Sequence, residues 1–144
     1  SVAENGNILV GGDKWVFLLD KEGYIRWEYY PNNNDSITAV QIIPEGCILA
    51  GTRNNRKFYI SMLDNQGKEK WLKAYDSEFL SVISQVKQDE TGNISAIGYS
   101  GRDGIYIRLK PNGDMISTNL VGSAGIEILT SISFVESNKY IVGC

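Results

Sequence analysis

A repeat of about 45 residues constrains the fold of this chain more than any other feature. Residues 58–75, FYISMLDNQGKEKWLKAY, have a close counterpart in residues 16–30 and a looser one in residues 105–120. The glycines of the predicted turns, 44 and 46 residues apart, are Gly23, Gly67 and Gly113. The glycines that end a short apolar run, 47 and 45 residues apart, are Gly51, Gly98 and Gly143. Two independent landmarks therefore give the same period.

Each repeat is predicted to form four short antiparallel strands, a to d, because strands of about 5–6 residues with tight turns fill such a period. Strand a is predicted at residues 37–43, 82–88 and 129–135. Strand c is predicted at residues 15–19, 58–63 and 105–109, and strand d at residues 24–30, 68–75 and 115–120. No segment has a hydrophobic period of 3.6 residues, so we expect an all-β protein with almost no helix.

Short strands at a fixed spacing, with an aromatic residue late in each repeat, are more typical of β-propeller blades than of a sandwich. The motif L-D-x-x-G-x-x-x-W at residues 19–27 and 63–71 resembles the repeats of quinoprotein-type (PQQ-like) β-propellers. The third repeat departs from it, with Lys110 for Asp and Ser117 for Trp. The resemblance implies four-stranded blades and an extracellular, periplasmic or cell-surface location. It does not specify an activity, since such repeats serve dehydrogenases, assembly factors, sensors and adhesins alike.

The chain is predicted to be a single repeat domain, residues 1–144. Its repeats are residues 1–34 (partial), 35–78, 79–125 and 126–144 (partial). That makes about three blades, whereas closed propellers have about 4–8. Three arrangements stay open: a piece of a longer chain with further blades, a homodimer that joins head to tail into a ring, or a compact sheet arrangement that is not a propeller. The strand edges at residues 8–10 and 140–142 favour self-association, because unpaired edges attract partner strands.

Recurrent positions in the repeat are predicted to be structural. Trp27 and Trp71 stand four residues after a turn glycine, where each would pack one blade on the next. Asp20 and Asp64 begin the same turns, where an Asp side chain can accept backbone N–H bonds. The turn glycines, which supply positive φ, are Gly23, Gly67 and Gly113.

Composition excludes several function classes. The net charge is −3 and the 14 basic residues are scattered, so nucleic acid is not expected as a partner. No apolar run approaches the roughly 20 residues of a membrane span. With no His, and with Cys47 and Cys144 far apart, neither a zinc site nor a disulfide is expected. No calcium loop, phosphate loop or catalytic set stands out, so we expect no metal, no cofactor and no catalytic residue.

Polar loops offer the candidate binding site. Connections b–c and d–a share one face of a propeller, and they vary more here than the tight a–b and c–d turns. The candidate ligand-binding residues are Asp13, Lys14, Arg53, Asn54, Asn55, Arg56, Arg102 and Asp103. We therefore expect a non-catalytic module that recognises a protein or carbohydrate. The alternative is a fragment of a propeller enzyme, a quinoprotein dehydrogenase or polysaccharide-active protein, with its catalytic residues outside this chain.

Overall fold

The structure, a computed structural model, describes residues 1–54, 57–76, 81–122, 125–136 and 139–143. Within these residues the regular elements are all β-strands, which confirms the predicted fold class. The strands are β1 Ile8–Gly12, β2 Trp15–Leu19, β3 Ile25–Tyr29, β4 Asp35–Ile43, β5 Gly46–Arg53, β6 Lys57–Asp64, β7 Glu69–Asp76, β8 Ser81–Gln88, β9 Ile94–Ser100, β10 Asp103–Leu109, β11 Met115–Val121, β12 Ser131–Glu136 and β13 Lys139–Gly143. No helix in this part of the chain is long and apolar enough to cross a membrane.

The strands form four antiparallel sheets in which chain neighbours pair. The first sheet holds β1–β3, the second β4–β7, the third β8–β11 and the fourth β12–β13. The two middle sheets each hold four strands in chain order, as predicted for one repeat. β12 begins later than predicted because the N–H groups of Leu129 and Thr130 donate to Gly98 O and Gly143 O before the β12–β13 ladder starts.

One five-residue turn is used five times among the described residues. In each copy the first N–H donates to the carbonyl of the fifth residue, and the fourth N–H donates to the carbonyl of the first. The copies are residues 3–7, 20–24, 64–68, 89–93 and 110–114. The fourth residue is always glycine, with φ between 78° and 91°, a region that other residues enter only at a cost. The sequence analysis predicted the turns that contain Gly23, Gly67 and Gly113 and missed the turn at residues 3–7.

Aspartate side chains hold three of these turns. Oδ1 of Asp20 accepts the N–H groups of Glu22 and Tyr24, and Oδ1 of Asp64 accepts those of Gln66 and Lys68. The predicted capping role of both is confirmed. Asp89 makes the same pair of bonds in the β8–β9 turn.

In the first sheet, residues 1–3 lie beside β1 in the same way that the last residues of β4 and β8 lie beside the following strand in the second and third sheets. Val2 pairs with Ile8, and Leu9 N–H donates to Ser1 O. Ser1 Oγ accepts Ile42 N–H at 3.1 Å, just as Gln41 Oε1 accepts Gln88 N–H at 2.7 Å one sheet further on. The same side chain position therefore links two successive pairs of sheets.

The sheets stack face to face, so the two middle sheets are apolar on both sides. One core lies between the first and second sheets and includes Leu9, Leu18 and Leu49. A second core lies between the second and third sheets, around Ile60 and Ile107. A smaller one joins the third sheet to the fourth. Alternate residues of a strand point to opposite faces, so the inner strands of the two middle sheets each contribute to two cores.

The predicted tryptophans lie at the outer edge of these interfaces. The partly buried Trp27 covers Gly67 of the second sheet, and its Nε1 donates to Asn65 O at 3.1 Å. Trp71 covers Gly113 of the third sheet in the same way. A Cβ at Gly67 or Gly113 would lie 2.7 or 2.9 Å from a tryptophan ring, whereas one at Gly23 would meet nothing within 4 Å.

Gly23→Ala and Gly67→Ala form a matched pair of tests. Both put a side chain at positive φ, which costs about 1–2 kcal/mol, but only Gly67→Ala drives a methyl group into Trp27. We expect Gly67→Ala to lower the free energy of unfolding by about 1–3 kcal/mol more than Gly23→Ala does. Urea unfolding of the two variants measures the difference, and equal losses would contradict the packing role of Trp27.

Candidate functional site

The described candidate residues lie on the loop face, defined as the end of the sheets that carries the connecting residues 13–14, 30–34, 54, 101–102, 122 and 125–130. Asn55 and Arg56 lie outside the described residues. The other six fall into two groups, one on each side of the second sheet.

Asp13 and Lys14 contact the beginning of β4. Lys14 Nζ donates to the carbonyls of Asp35 at 2.7 Å and Asn33 at 3.3 Å. The carbonyl of Asp13 accepts Ile37 N–H at 2.8 Å. The β1–β2 turn therefore holds the second sheet in place, and its cation is already engaged.

Arg53 makes the most buried ion pair of the loop face. Its Nε and Nη2 donate to the two carboxylate oxygens of Asp35 at 2.7 and 2.6 Å, and Asp35 is 1% exposed. The guanidinium also lies 5.8 Å from the ring centroid of Tyr59, within cation–π range. Asn54 follows at φ 52° and donates its N–H to Asn34 O. This geometry assigns Arg53 and Asn54 to the junction between strands β4 and β5.

Arg102 and Asp103 form the second group, at the β9–β10 turn of the third sheet. The carbonyl of Arg102 accepts Glu127 N–H at 2.9 Å, while its side chain is exposed. The Asp103 carboxylate lies against Gly122. The structure therefore does not gather the candidate residues into one site, although Asp13, Lys14, Asn54 and Arg102 are all exposed.

Two buried hydroxyls stand out at the interface of the first and second sheets. Neither Tyr59 Oη nor Ser61 Oγ has a hydrogen-bond partner among the described residues. Nearby, Tyr29 Oη donates to Glu69 Oε2 at 2.9 Å. Burial raises the pKa of both tyrosines, so neither ionises near neutral pH.

The thiol of Cys47 is buried and has low reactivity. It is a free, fully buried thiol on β5. Burial raises the pKa of its thiol to about 12, so little reactive thiolate forms at neutral pH. Cys144 lies outside the described residues.

Two grooves lie at the opposite end of the sheets, the turn face, which carries the five glycine turns and the β4–β5 turn. Groove one has a volume of about 450 Å³ and lies between the first and second sheets. Groove two has about 540 Å³ and lies between the second and third. Leu18 and Asn65 line groove one where Met62 and Pro111, at the same repeat positions, line groove two. The grooves are thus a product of the repeat.

Groove one combines an apolar wall with amide side chains. Trp27, Ile42 and Pro44 form the wall, and the amides belong to Asn5, Asn7 and Asn65. Asn65 Nδ2 donates to Pro44 O, and Asn5 Oδ1 accepts Asn7 N–H, which fixes two of the three amides. Among the described residues that line it, Glu4 is the single charged side chain.

Groove two is more highly charged, with Lys70, Glu45, Asp89 and Glu90 in its lining. Sequence reasoning missed both grooves. The available signal was the sequence AENGN at residues 3–7, which has the spacing of DETGN at residues 89–93. Across the described residues, no group of three or more His, Cys, Asp or Glu side chains is placed to hold a metal ion.

Comparison with known proteins establishes the fold alone. No protein-family profile matches this sequence, and no curated protein matches it. Among solved structures, this chain is similar to a protein of unknown function from Bacteroides caccae, with a TM-score of 0.76 and 15% identity. The match covers 99% of this chain and 51% of that one, so this chain spans about half the length of its structural neighbour.

Arg53→Ala tests the buried ion pair. It leaves the Asp35 carboxylate buried without its partner, which typically costs about 3–5 kcal/mol. The control is Lys57→Ala, because the Lys57–Asp76 pair is exposed and such pairs contribute about 0–1 kcal/mol. Chemical unfolding of both variants gives the comparison. Similar small losses would show that Arg53 does not hold the junction and is available for a ligand.

Acid should weaken the turn face. The N–H of Lys68 lowers the pKa of Asp64, and the Lys73 ammonium lowers that of Asp114. A carboxyl whose pKa is lower in the folded state stabilises the fold above its unfolded pKa, about 3.9, and loses that contribution as the pH falls through the folded pKa. We expect a steady urea midpoint from about pH 7 to 5 and a fall below about pH 4. Asp64→Asn should make that fall shallower; an unchanged slope would contradict the assignment.

Proposed function

We propose that this chain is a non-catalytic recognition module of β-propeller type that binds a protein or carbohydrate ligand in the grooves of the turn face. The observation that carries the proposal is the recurrence of a groove at equivalent positions between successive sheets. The loop face is a weaker candidate, because Lys14 and Arg53 are engaged with β4 and its preceding loop.

The propeller assignment is supported by how the sheets stack. Strand β4 adjoins β8, and β8 adjoins β12, so the first strands of successive sheets come together on one side. The last strands of the sheets carry Trp27 and Trp71 at the other side. The structural neighbour, about twice as long, would have room for about six repeats of about 45 residues, a normal ring size.

The PQQ-like assignment and a location outside the cytoplasm remain proposals that rest on the motif at residues 19–27 and 63–71. A recognition role is compatible with that resemblance, because a rigid repeat scaffold can bind with its turns and loops.

The lining of groove one defines the ligand chemistry. Trp27, Ile42 and Pro44 suit an apolar face, while the amides of Asn5 and Asn7 suit hydrogen-bonding groups. Without a basic side chain among its described lining residues, the groove is unsuited to phosphate. Neutral saccharides and uncharged peptide segments both have this mixture of surfaces.

Asn7→Tyr tests the groove without disturbing the turn. Asn7 is the fifth residue of its turn, and the equivalent residue in the next turn is Tyr24, so a tyrosine is accepted there. Its ring would fill groove one. We expect at least a tenfold loss of affinity for ligands selected on glycan and peptide arrays, because the ring takes the ligand's place.

Two further variants serve as controls. Lys68→Tyr makes the same change in the β6–β7 turn, outside the described lining of both grooves, and should leave binding unchanged. Arg102→Ala probes the loop face. Loss of binding in Arg102→Ala with normal binding in Asn7→Tyr would move the site to the loop face, and no array ligand at all would argue against a recognition module.

A further inference from the structure

The first sheet has a face that no other sheet covers among the described residues. In the second and third sheets, the face turned towards the preceding sheet is buried, with Leu63 and Leu109 both 0% exposed. Leu19 holds the same repeat position in the first sheet and is partly exposed. The residues of this open face are Ile8, Val10, Trp15, Phe17 and Leu19.

The open face is aromatic as well as apolar. Trp15 stacks on Phe17 with ring centroids 4.6 Å apart, and Tyr30 meets Phe17 edge-on at 6.3 Å. At the position of Phe17, the other two sheets have Ser61 and Ile107, both 0% exposed. An apolar surface of this kind on a repeat protein marks an interface.

Gly23 adds a specific geometric requirement. Its φ of 91° resembles those of Gly67 and Gly113, so the three turns have the same shape. Gly67 and Gly113 are each covered by a tryptophan from the preceding sheet, but nothing lies within 4 Å of the Cβ position of Gly23. The turn at Gly23 therefore has the shape that accepts an aromatic ring in the other two sheets, but no ring from the described residues covers it.

We infer that the open face of the first sheet docks a further four-stranded sheet of the same repeat, whose outermost strand places an aromatic side chain over Gly23. The interface would continue the one already seen between the first and second sheets, and between the second and third. This inference rests on the propeller architecture proposed above but not on any ligand.

A second copy of this chain is a poorer occupant. Its two outer-strand tryptophans already cover Gly67 and Gly113, and its third outer strand has Ser117 at that position. The docked sheet is therefore one from outside these 144 residues, with an aromatic residue where Trp27 and Trp71 stand.

A fusion protein tests the inference on the 144-residue chain. A second copy of residues 35–86 is placed directly before Ser1, because the turns at residues 3–7 and 89–93 are equivalent and Ser1 then takes the position of Lys87. The added copy should deliver its own Trp71 to Gly23, as Trp71 is delivered to Gly113 in the original chain. The matched control is the same fusion with Trp71→Ala in the added copy alone.

Two measurements report docking. The first uses the double variant Phe17→Cys, Cys144→Ser and follows the rate at which a thiol reagent labels the new thiol. This rate should fall at least tenfold in the fusion, because the equivalent Ser61 is fully buried, and it should fall less in the Trp71→Ala control. Cys47 of the original chain is not labelled because it is buried. Cys47 of the added copy would take the exposed position of Ile8 on the new outer face, so it is replaced by Ala in both fusions. Gly23→Ala should lower the urea midpoint less than Gly67→Ala does in the original chain, but as much as Gly67→Ala does in the fusion.

Unchanged labelling and an unchanged effect of Gly23→Ala in the fusion would overturn the inference. So would sedimentation of the original chain as a micromolar dimer that Phe17→Glu dissociates, since the face would then belong to a second copy. Neither result touches groove one, so ligand binding lost in Asn7→Tyr would still support the proposed function. Failure of the ligand arrays, in turn, would leave the docking surface standing.

Discussion

Face-to-face packing of sheets is the interaction on which the rest of this structure depends. The middle sheets bury side chains on both faces, so neither of them has the usual solvent side of an antiparallel sheet. Buried apolar area contributes about 25 cal/mol per Å², and here it comes mostly from contacts between sheets. Each sheet is therefore stable only while its neighbours cover it, which is the normal condition of a repeat protein.

The alignment of one sheet on the next is set by a few directional contacts at the rim of each core. Trp27 over Gly67 and Trp71 over Gly113 fix the outer strands. Near the first strands, Gln41 Oε1 accepts Gln88 N–H. The apolar cores supply most of the stabilisation without direction, and these contacts select one alignment of the sheets. On the loop face, Lys14 of the β1–β2 turn does the same by donating from Nζ to Asp35 O of the second sheet.

The structural use of polar side chains also bears on function. Polar residues that look available in the sequence are used to hold strands and turns, as Lys14 and Asp64 show. The groove that we propose for a ligand lies instead where two turns of adjacent sheets diverge, beside Trp27 and Pro44. A scaffold of this kind can change its specificity by changing turn residues such as Asn7, because the turn geometry depends on its backbone bonds and on Gly6 rather than on that side chain.

The sequence alone determined the all-β class, the strand order and most of the turns, because these depend on local periodicity and on glycines such as Gly67. It also indicated the aspartate caps, whose partners lie two and four residues away. Only the tertiary structure decided that Arg53 belongs to Asp35, that grooves form between sheets, and that Gly23 lacks the ring that covers Gly67. Those features join residues from different strands or sheets, and a spacing pattern within one chain does not specify which side chains meet across an interface.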